Sequence, residues 1–191
     1  MKKYLITSRE FYTDTPAVFR AILHEQLQIH MPEYALYRDK SNPDYDIQAE
    51  YFTQVCSQFE GVKSFIHQKV DLARELNAVG VHLTSKQFDE ISHAKSLNLE
   101  VIISTHTQEE VLKAQRLGAD AVTYSPIFSS PNKGEPKGVD DLKELLSRCD
   151  IKVFALGGIV EVGHLKMLEK IKPYGFASIR YFYQDAQPNI H

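Results

Sequence analysis

Cations, hydroxyls and paired glycines recur in this chain directly after short apolar runs. Arg38 and Lys40 follow the run 34–37, and His67, Gln68 and Lys69 follow 62–66. Ser104, Thr105 and His106 follow 99–103, and Gly157-Gly158 follows 151–156. Ser8 and Arg9, Thr84 and Ser85, the stretch 125–133 with Ser130 and Lys133, and finally Arg180 occupy the same kind of position. Carboxylates are scarce among them. Guanidinium and ammonium groups, hydroxyls and glycine amides together suit an oxyanion, phosphate above all.

Each feature also has an ordinary structural use. Glycine lets backbone N–H groups approach phosphate oxygens, and the start of a following helix adds its dipole; Gly157-Gly158 equally makes a tight strand-to-helix turn. Arg38 and Lys40, one residue apart at a strand end, point the same way, as half of an anion clamp or as solvated loop charges. His106, just past an apolar strand, is either a backbone-bonded structural histidine or an acid–base group. The segment 129–134 is a surface connector or a phosphate lid carrying Ser130 and Lys133. No HExxH, GxSxG, Walker A or CxxC pattern occurs.

The elements that must position these residues alternate along the whole chain. Strands are predicted at 4–7, 34–37, 62–66, 80–83, 99–103, 119–123, 151–156 and 175–179. Helices are predicted at 15–28, 44–59, 69–76, 85–97, 107–117, 138–147 and 160–170. Pro16 suits a first helical turn, Thr107 with Glu110 makes a capping-box start, and Gly118 ends that helix. About eight β/α units close a TIM barrel, and uninterrupted apolar strands such as Val101-Ile102-Ile103 suit a parallel sheet covered on both faces. An open doubly wound sheet would carry a glycine-rich dinucleotide turn after its first strand, where this chain has Thr7-Ser8-Arg9-Glu10. The expected architecture is one compact α/β barrel domain spanning 1–191, with a shortened C-terminal helix.

Composition excludes several other classes. A net charge of −3 gives no nucleic-acid footprint. No apolar run approaches the ~20 residues of a membrane span, and the start of the chain is too briefly apolar for a signal peptide. Cys56 and Cys149 are the only cysteines and lie far apart, which fits a reduced cytoplasmic protein with no catalytic thiol.

Several of these segments occur in the order seen in one family. Gly80-Val81-His82-Leu83, Ser104-Thr105-His106 with Glu109-Glu110, Gly118-Ala119-Asp120, the run 125–133 and Ala155-Leu156-Gly157-Gly158-Ile159 together resemble thiamine phosphate synthase and its TenI relatives. Arg38-Asp39-Lys40 is similar to the family's Arg-Glu-Lys. The resemblance implies a TIM barrel, homodimers, and a synthase that joins a pyrimidine pyrophosphate to a thiazole phosphate. In that reaction the pyrimidine C–O bond ionises, the thiazole nitrogen captures the carbocation, and pyrophosphate leaves with Mg²⁺ held by two aspartates. By position, Arg38, Lys40 and Lys133 would contact pyrophosphate, with Ser130 in place of a family threonine. Gly157 and Gly158 would cradle the thiazole phosphate, and His106 would lie near the pyrimidine pocket.

The departures are specific. The two metal aspartates of the family fall on Gln68 and Gln87, and a neutral amide is a poor Mg²⁺ ligand beside a carboxylate. Asp89 lies two residues beyond Gln87 and would substitute only if the loop shifts. Leu36 replaces a glutamine, and Arg180 replaces a phosphate-loop serine while remaining a bidentate donor. A sister branch isomerises a thiazole carboxylate phosphate without metal; its catalytic histidine falls on Pro126, leaving His67 as a replacement acid–base. Three readings follow: a thiamine phosphate synthase with an altered metal site, a metal-free thiazole tautomerase, and a non-catalytic regulator that binds a phosphorylated ligand.

Overall fold

The computed structural model describes residues 1–183. Eight parallel strands pair in chain order, and the last returns to the first to close a barrel. They are β1 (Lys2–Ile6), β2 (Tyr34–Tyr37), β3 (Lys63–His67), β4 (Gly80–Leu83), β5 (Glu100–Thr105), β6 (Ala121–Tyr124), β7 (Lys152–Leu156) and β8 (Gly175–Ser178). The pairing of Lys2–Leu5 with Gly175–Ser178 rules out the open-sheet alternative, because an open sheet leaves two strands unpaired at its edges. The architecture is the predicted TIM barrel.

Helical segments follow the strands: α1 (Arg9–Tyr12), α2 (Pro16–His30), α3 (Tyr45–Cys56), α4 (Val70–Glu75), α5 (Ile91–Ser96), α6 (Gln108–Arg116), α7 (Gly138–Arg148) and α8 (Val162–Glu169). Among the described residues no helix is long and apolar enough to cross a membrane. Thr107 caps α6 as expected, its Oγ1 accepting the Glu110 N–H at 3.1 Å. The helix predicted over 85–97 is shorter. Its α-helical part begins only at Ile91, after a 3₁₀ turn at Phe88–Glu90, because the Gln87 side chain is used to close the preceding loop. The single turn α1 was not predicted. After β8 there is a 3₁₀ turn at Arg180–Phe182, and the rest of the predicted C-terminal segment, 184–191, lies outside the described residues.

Two strands run further than their apolar stretches. His67 pairs with His82, and Ser104 and Thr105 pair with Thr123 and Tyr124, so the ladder carries these polar residues into the barrel wall. Sheet alternation then sorts the core. Leu5, Tyr37, Ile66, Val81, Ile103, Val122 and Phe176 face outward onto the helices, while Tyr4, Ile6, Tyr34, Leu36, Phe65, Ile102 and Phe154 face inward.

An aromatic floor fills the lower barrel. Tyr4 and Tyr34 lie 5.1 and 5.0 Å from Phe154, ring centroid to centroid, and Tyr34 stacks on Phe65 at 5.7 Å. Glycines on neighbouring strands make room for these rings. A Cβ at Gly80 would sit 2.5 Å from Phe65 Cε1 and 2.2 Å from the Glu100 carbonyl oxygen, and one at Gly175 2.8 Å from Phe154 Cε1. Overpacking of this kind costs about 1–3 kcal/mol. Gly80→Ala is therefore expected to lower the unfolding free energy by that amount, read as a lower urea midpoint at unchanged m, and an unchanged midpoint would show that the floor is not tightly packed.

Candidate functional site

Above the aromatic floor, a cavity of about 850 Å³ opens at the C-terminal ends of the strands. Its walls are built by the upper inward-facing residues of the strands and by the loops that follow them. Arg38, Lys40, His67, Gln68, His106, Ser130, Lys133, Gly157, Gly158 and Arg180 all line it, from segments scattered over the whole chain.

Other rim residues serve as scaffold. Arg9 Nε donates to Asp39 Oδ2 at 3.0 Å, and Asp39 Oδ1 accepts the Ser41 N–H at 3.2 Å, so this pair shapes the loop that carries Arg38 and Lys40. Lys69 turns outward to Asp46, at 2.5 Å, and over the Tyr45 ring. Thr105 is buried, its hydroxyl donating to the Thr123 carbonyl at 2.8 Å. Neither Gln87 nor Asp89 lines the cavity, and Asp89 is exposed. The loop shift that would recruit Asp89 has not occurred.

The Gly157-Gly158 turn is sterically exclusive. Both residues have positive φ, +108° and +67°, where a side chain is strained. A Cβ would also meet Pro126 Cα at 2.7 Å from Gly157, or the Ser129 carbonyl oxygen at 2.4 Å from Gly158. The loop after β6 packs against this turn, with the Ile127 N–H donating to Leu156 O at 2.9 Å and the Phe128 N–H to Gly157 O at 3.0 Å. That contact brings Ser130 and Lys133 to the same cavity as the glycines. The Ser178 hydroxyl donates to Ile159 O at 2.7 Å and accepts the Tyr181 N–H at 3.1 Å, tying the Arg180 turn to the glycine turn.

Charge in the cavity is one-sided. Glu10 is the only carboxylate side chain among its described lining residues. Arg38, Lys40, Lys86, Lys133 and Arg180 line it too, and none of them forms an ion pair with a described residue. Burial lowers the Arg38 guanidinium pKa. The Lys40 pKa is lowered first by Arg38, then by burial, then by Lys133 and Lys86. Uncompensated cations that destabilise one another in this way are relieved by a polyanion.

Two histidines in the wall are held neutral. Burial, then Arg38 and Lys40, push the His67 pKa down to about 3. Burial, then His67 and Arg38, push His82 well below its usual range. His82 Nδ1 lies 2.7 Å from the Tyr4 hydroxyl and Nε2 lies 2.9 Å from Ser104 Oγ. Tyr4 is fully buried and stays a phenol, since burial raises its pKa. Its proton is therefore satisfied by donating to Nδ1, which fixes the tautomer with Nε2–H donating to Ser104. The Ser104 hydroxyl is left to donate into the cavity. His106, by contrast, is exposed at the rim, with Nδ1 3.3 Å from the Ser125 carbonyl and from its hydroxyl. Both cysteines are out of play, as burial raises the Cys56 and Cys149 thiol pKa values.

His82, Lys86, Glu10 and Phe11 line the cavity but were not singled out as candidates from sequence. His82 was accessible to parity, since it shares the inward face of β4 with Gly80. Glu10 and Phe11 sit on α1, one turn long and too short to show a period.

The neutral histidines make stability pH-dependent. The unfolded chain binds a proton at His67 below its usual 6.5, whereas the folded chain resists protonation until about 3. The stabilisation is full above 6.5 and is lost as pH falls through that window. The melting temperature is expected to decline from pH 6.5 towards 4, and His67→Gln to flatten part of that decline, the remainder belonging to His82. Parallel profiles for the two proteins would contradict the assignment.

The pattern of the family described as thiamine monophosphate synthase matches residues 3–179. The thiamine-phosphate synthase of Lactococcus lactis subsp. lactis is 31% identical over 153 residues, 75% of this chain and 70% of that protein. That of Fusobacterium nucleatum is 30% identical over 143 residues, 73% and 68% of the two chains. The matches thus span about two thirds of these curated relatives. Among solved structures, the thiamine phosphate pyrophosphorylase from Pyrococcus furiosus superposes with a TM-score of 0.78 at 25% identity, covering 93% of this chain and 85% of that one. An N-acetylmannosamine-6-phosphate 2-epimerase from Clostridium perfringens, with a TM-score of 0.74 at 13% identity, shares the fold alone. The chain belongs to the thiamine monophosphate synthase family.

Proposed function

We propose that this chain is a thiamine-phosphate-synthase-type transferase, joining a hydroxymethylpyrimidine pyrophosphate to a thiazole phosphate. One observation carries the reading. A single cavity holds two sets of anion-binding groups: the cations Arg38, Lys40 and Lys133, and the Gly157-Gly158 turn tied to Arg180. Two phosphorylated substrates need two such sets in one cavity.

The reaction balances without an added proton carrier. The pyrimidine methylene C–O bond breaks and its electron pair leaves on pyrophosphate. The thiazole nitrogen lone pair then forms the new C–N bond. The demanding step is charge growth on the departing pyrophosphate, and pre-placed cations in a dry cavity stabilise it most. Ser130 adds a hydroxyl to the same side, and the Ser104 hydroxyl, oriented by His82, offers a donor to the pyrimidine. His106 closes the rim. The Mg²⁺ that the family resemblance implies does not fit the residues present. Gln68 and Gln87 stand at the aspartate positions, and among the described residues no three His, Cys, Asp or Glu side chains cluster to hold a metal ion.

A second reading rests on His67. It is a neutral imidazole in the cavity wall with no side-chain hydrogen bond to a described residue, a free base for a metal-free proton shift on a thiazole carboxylate phosphate. Incubation with each precursor separately and together distinguishes the two. The transferase reading requires product only when both are present, and the isomerase reading requires thiazole conversion alone, lost in His67→Gln.

Thiazole phosphate at about a hundred times its Kd is expected to stabilise the protein by ~2.7 kcal/mol, a rise in melting temperature of roughly 5–10 °C for a chain of this size. Gly157→Ala and Lys133→Ala are each expected to reduce that rise. No shift with saturating ligand would end the reading.

A further inference from the structure

We propose that Lys86 supplies the positive charge at the cavity mouth that a divalent ion would otherwise bring, so that pyrophosphate binds here without metal. This rests on the cavity being the phosphoryl site argued above, and it names a residue and a mode of binding that the reading leaves open.

The loops after β3 and β4 are joined directly by an amide. Gln87 Oε1 accepts the Thr84 N–H at 3.0 Å, and its Nε2 donates to the Gln68 carbonyl at 3.2 Å and to Glu90 Oε2 at 2.5 Å. The side chain that would have to ligate a metal is therefore spent on holding the two loops together. Gln68 is the other half of this arrangement. It sits at φ +66° in the middle of a three-residue turn, closed by the Lys69 N–H donating to the His67 carbonyl at 2.8 Å. Such a turn is strained and persists only when its surroundings hold it; the Gln87 amide and the Gln68 N–H bond to the His82 carbonyl, at 2.9 Å, do so here.

Lys86 lies between Thr84 and Gln87 in that fixed loop, its N–H donating to Thr84 Oγ1 at 3.3 Å. Its side chain lines the cavity, and its charge is among those that lower the Lys40 pKa. An ammonium is a compact point charge with three donors, suited to a phosphate oxygen. The same surroundings repel a divalent cation. It would enter beside Arg38, Lys40, Lys86 and Lys133, with Asp89 exposed away from the cavity and Glu10, on α1, the one carboxylate lining it among the described residues.

The probe is inorganic pyrophosphate, titrated calorimetrically into the full chain in EDTA and in excess Mg²⁺, at matched ionic strength. The expected affinities agree within about threefold, and Lys86→Ala weakens binding in EDTA about tenfold or more, as loss of a charged hydrogen-bond donor does. Lys86 is an exposed loop residue, so the variant is expected to keep the wild-type melting temperature, which is checked alongside. Binding that requires Mg²⁺, or a Lys86→Ala variant that binds pyrophosphate like wild type, overturns this inference while leaving the phosphoryl cavity standing. No binding in either condition overturns both.

Discussion

Uncompensated positive charge, gathered into one cavity, is the constraint on which the rest of the site depends. Arg38, Lys40, Lys86, Lys133 and Arg180 come from four different loops, and only barrel closure brings them together. The burial of Arg38 and the repulsion that Arg38, Lys133 and Lys86 exert on Lys40 are a standing cost to the protein, visible in the lowered pKa values of Arg38 and Lys40. That cost is relieved when an anion binds, so the cavity is organised before its ligand arrives and little reorganisation is needed at the moment of reaction.

The rest of the barrel keeps this arrangement in place. The floor of Tyr4, Tyr34, Phe65 and Phe154 closes the barrel from below and gives the cavity a low-dielectric base. Tyr4 links floor to site through His82 and Ser104. Three of the four charged loops are held by neutral or paired groups beside them: Asp39 with Arg9 under Arg38 and Lys40, Gln87 beside Lys86, and Ser178 beside Arg180. The cations themselves are left for a ligand because their neighbours do the structural bonding.

Much of this was legible in the sequence. The period of apolar runs gave the strand count, Thr107 and Gly118 marked both ends of one helix, and Gly157-Gly158 announced a turn that only glycine can make. Family order pointed to the rim residues that line the cavity. What stayed hidden depends on three-dimensional pairing. Spacing cannot show that Asp39 neutralises Arg9 and leaves Lys40 free, or that Lys69 turns outward to Asp46. Lys86 fell inside the helix predicted over 85–97, and only three-dimensional contacts such as the Gln87–Gln68 hydrogen bond place it in a loop held against the cavity. His67 and Ser104 were assigned to loops because they are polar, yet the ladder pairs them with His82 and Thr123 inside the wall.

The most direct test of the charge cluster is a crystal structure of the complex with inorganic pyrophosphate, grown with EDTA. Phosphate oxygens should lie within about 2.7–3.2 Å of the Arg38 guanidinium and the Lys40, Lys86 and Lys133 ammonium groups. Pyrophosphate found outside this cavity, or found in it with those side chains turned away, would contradict the account.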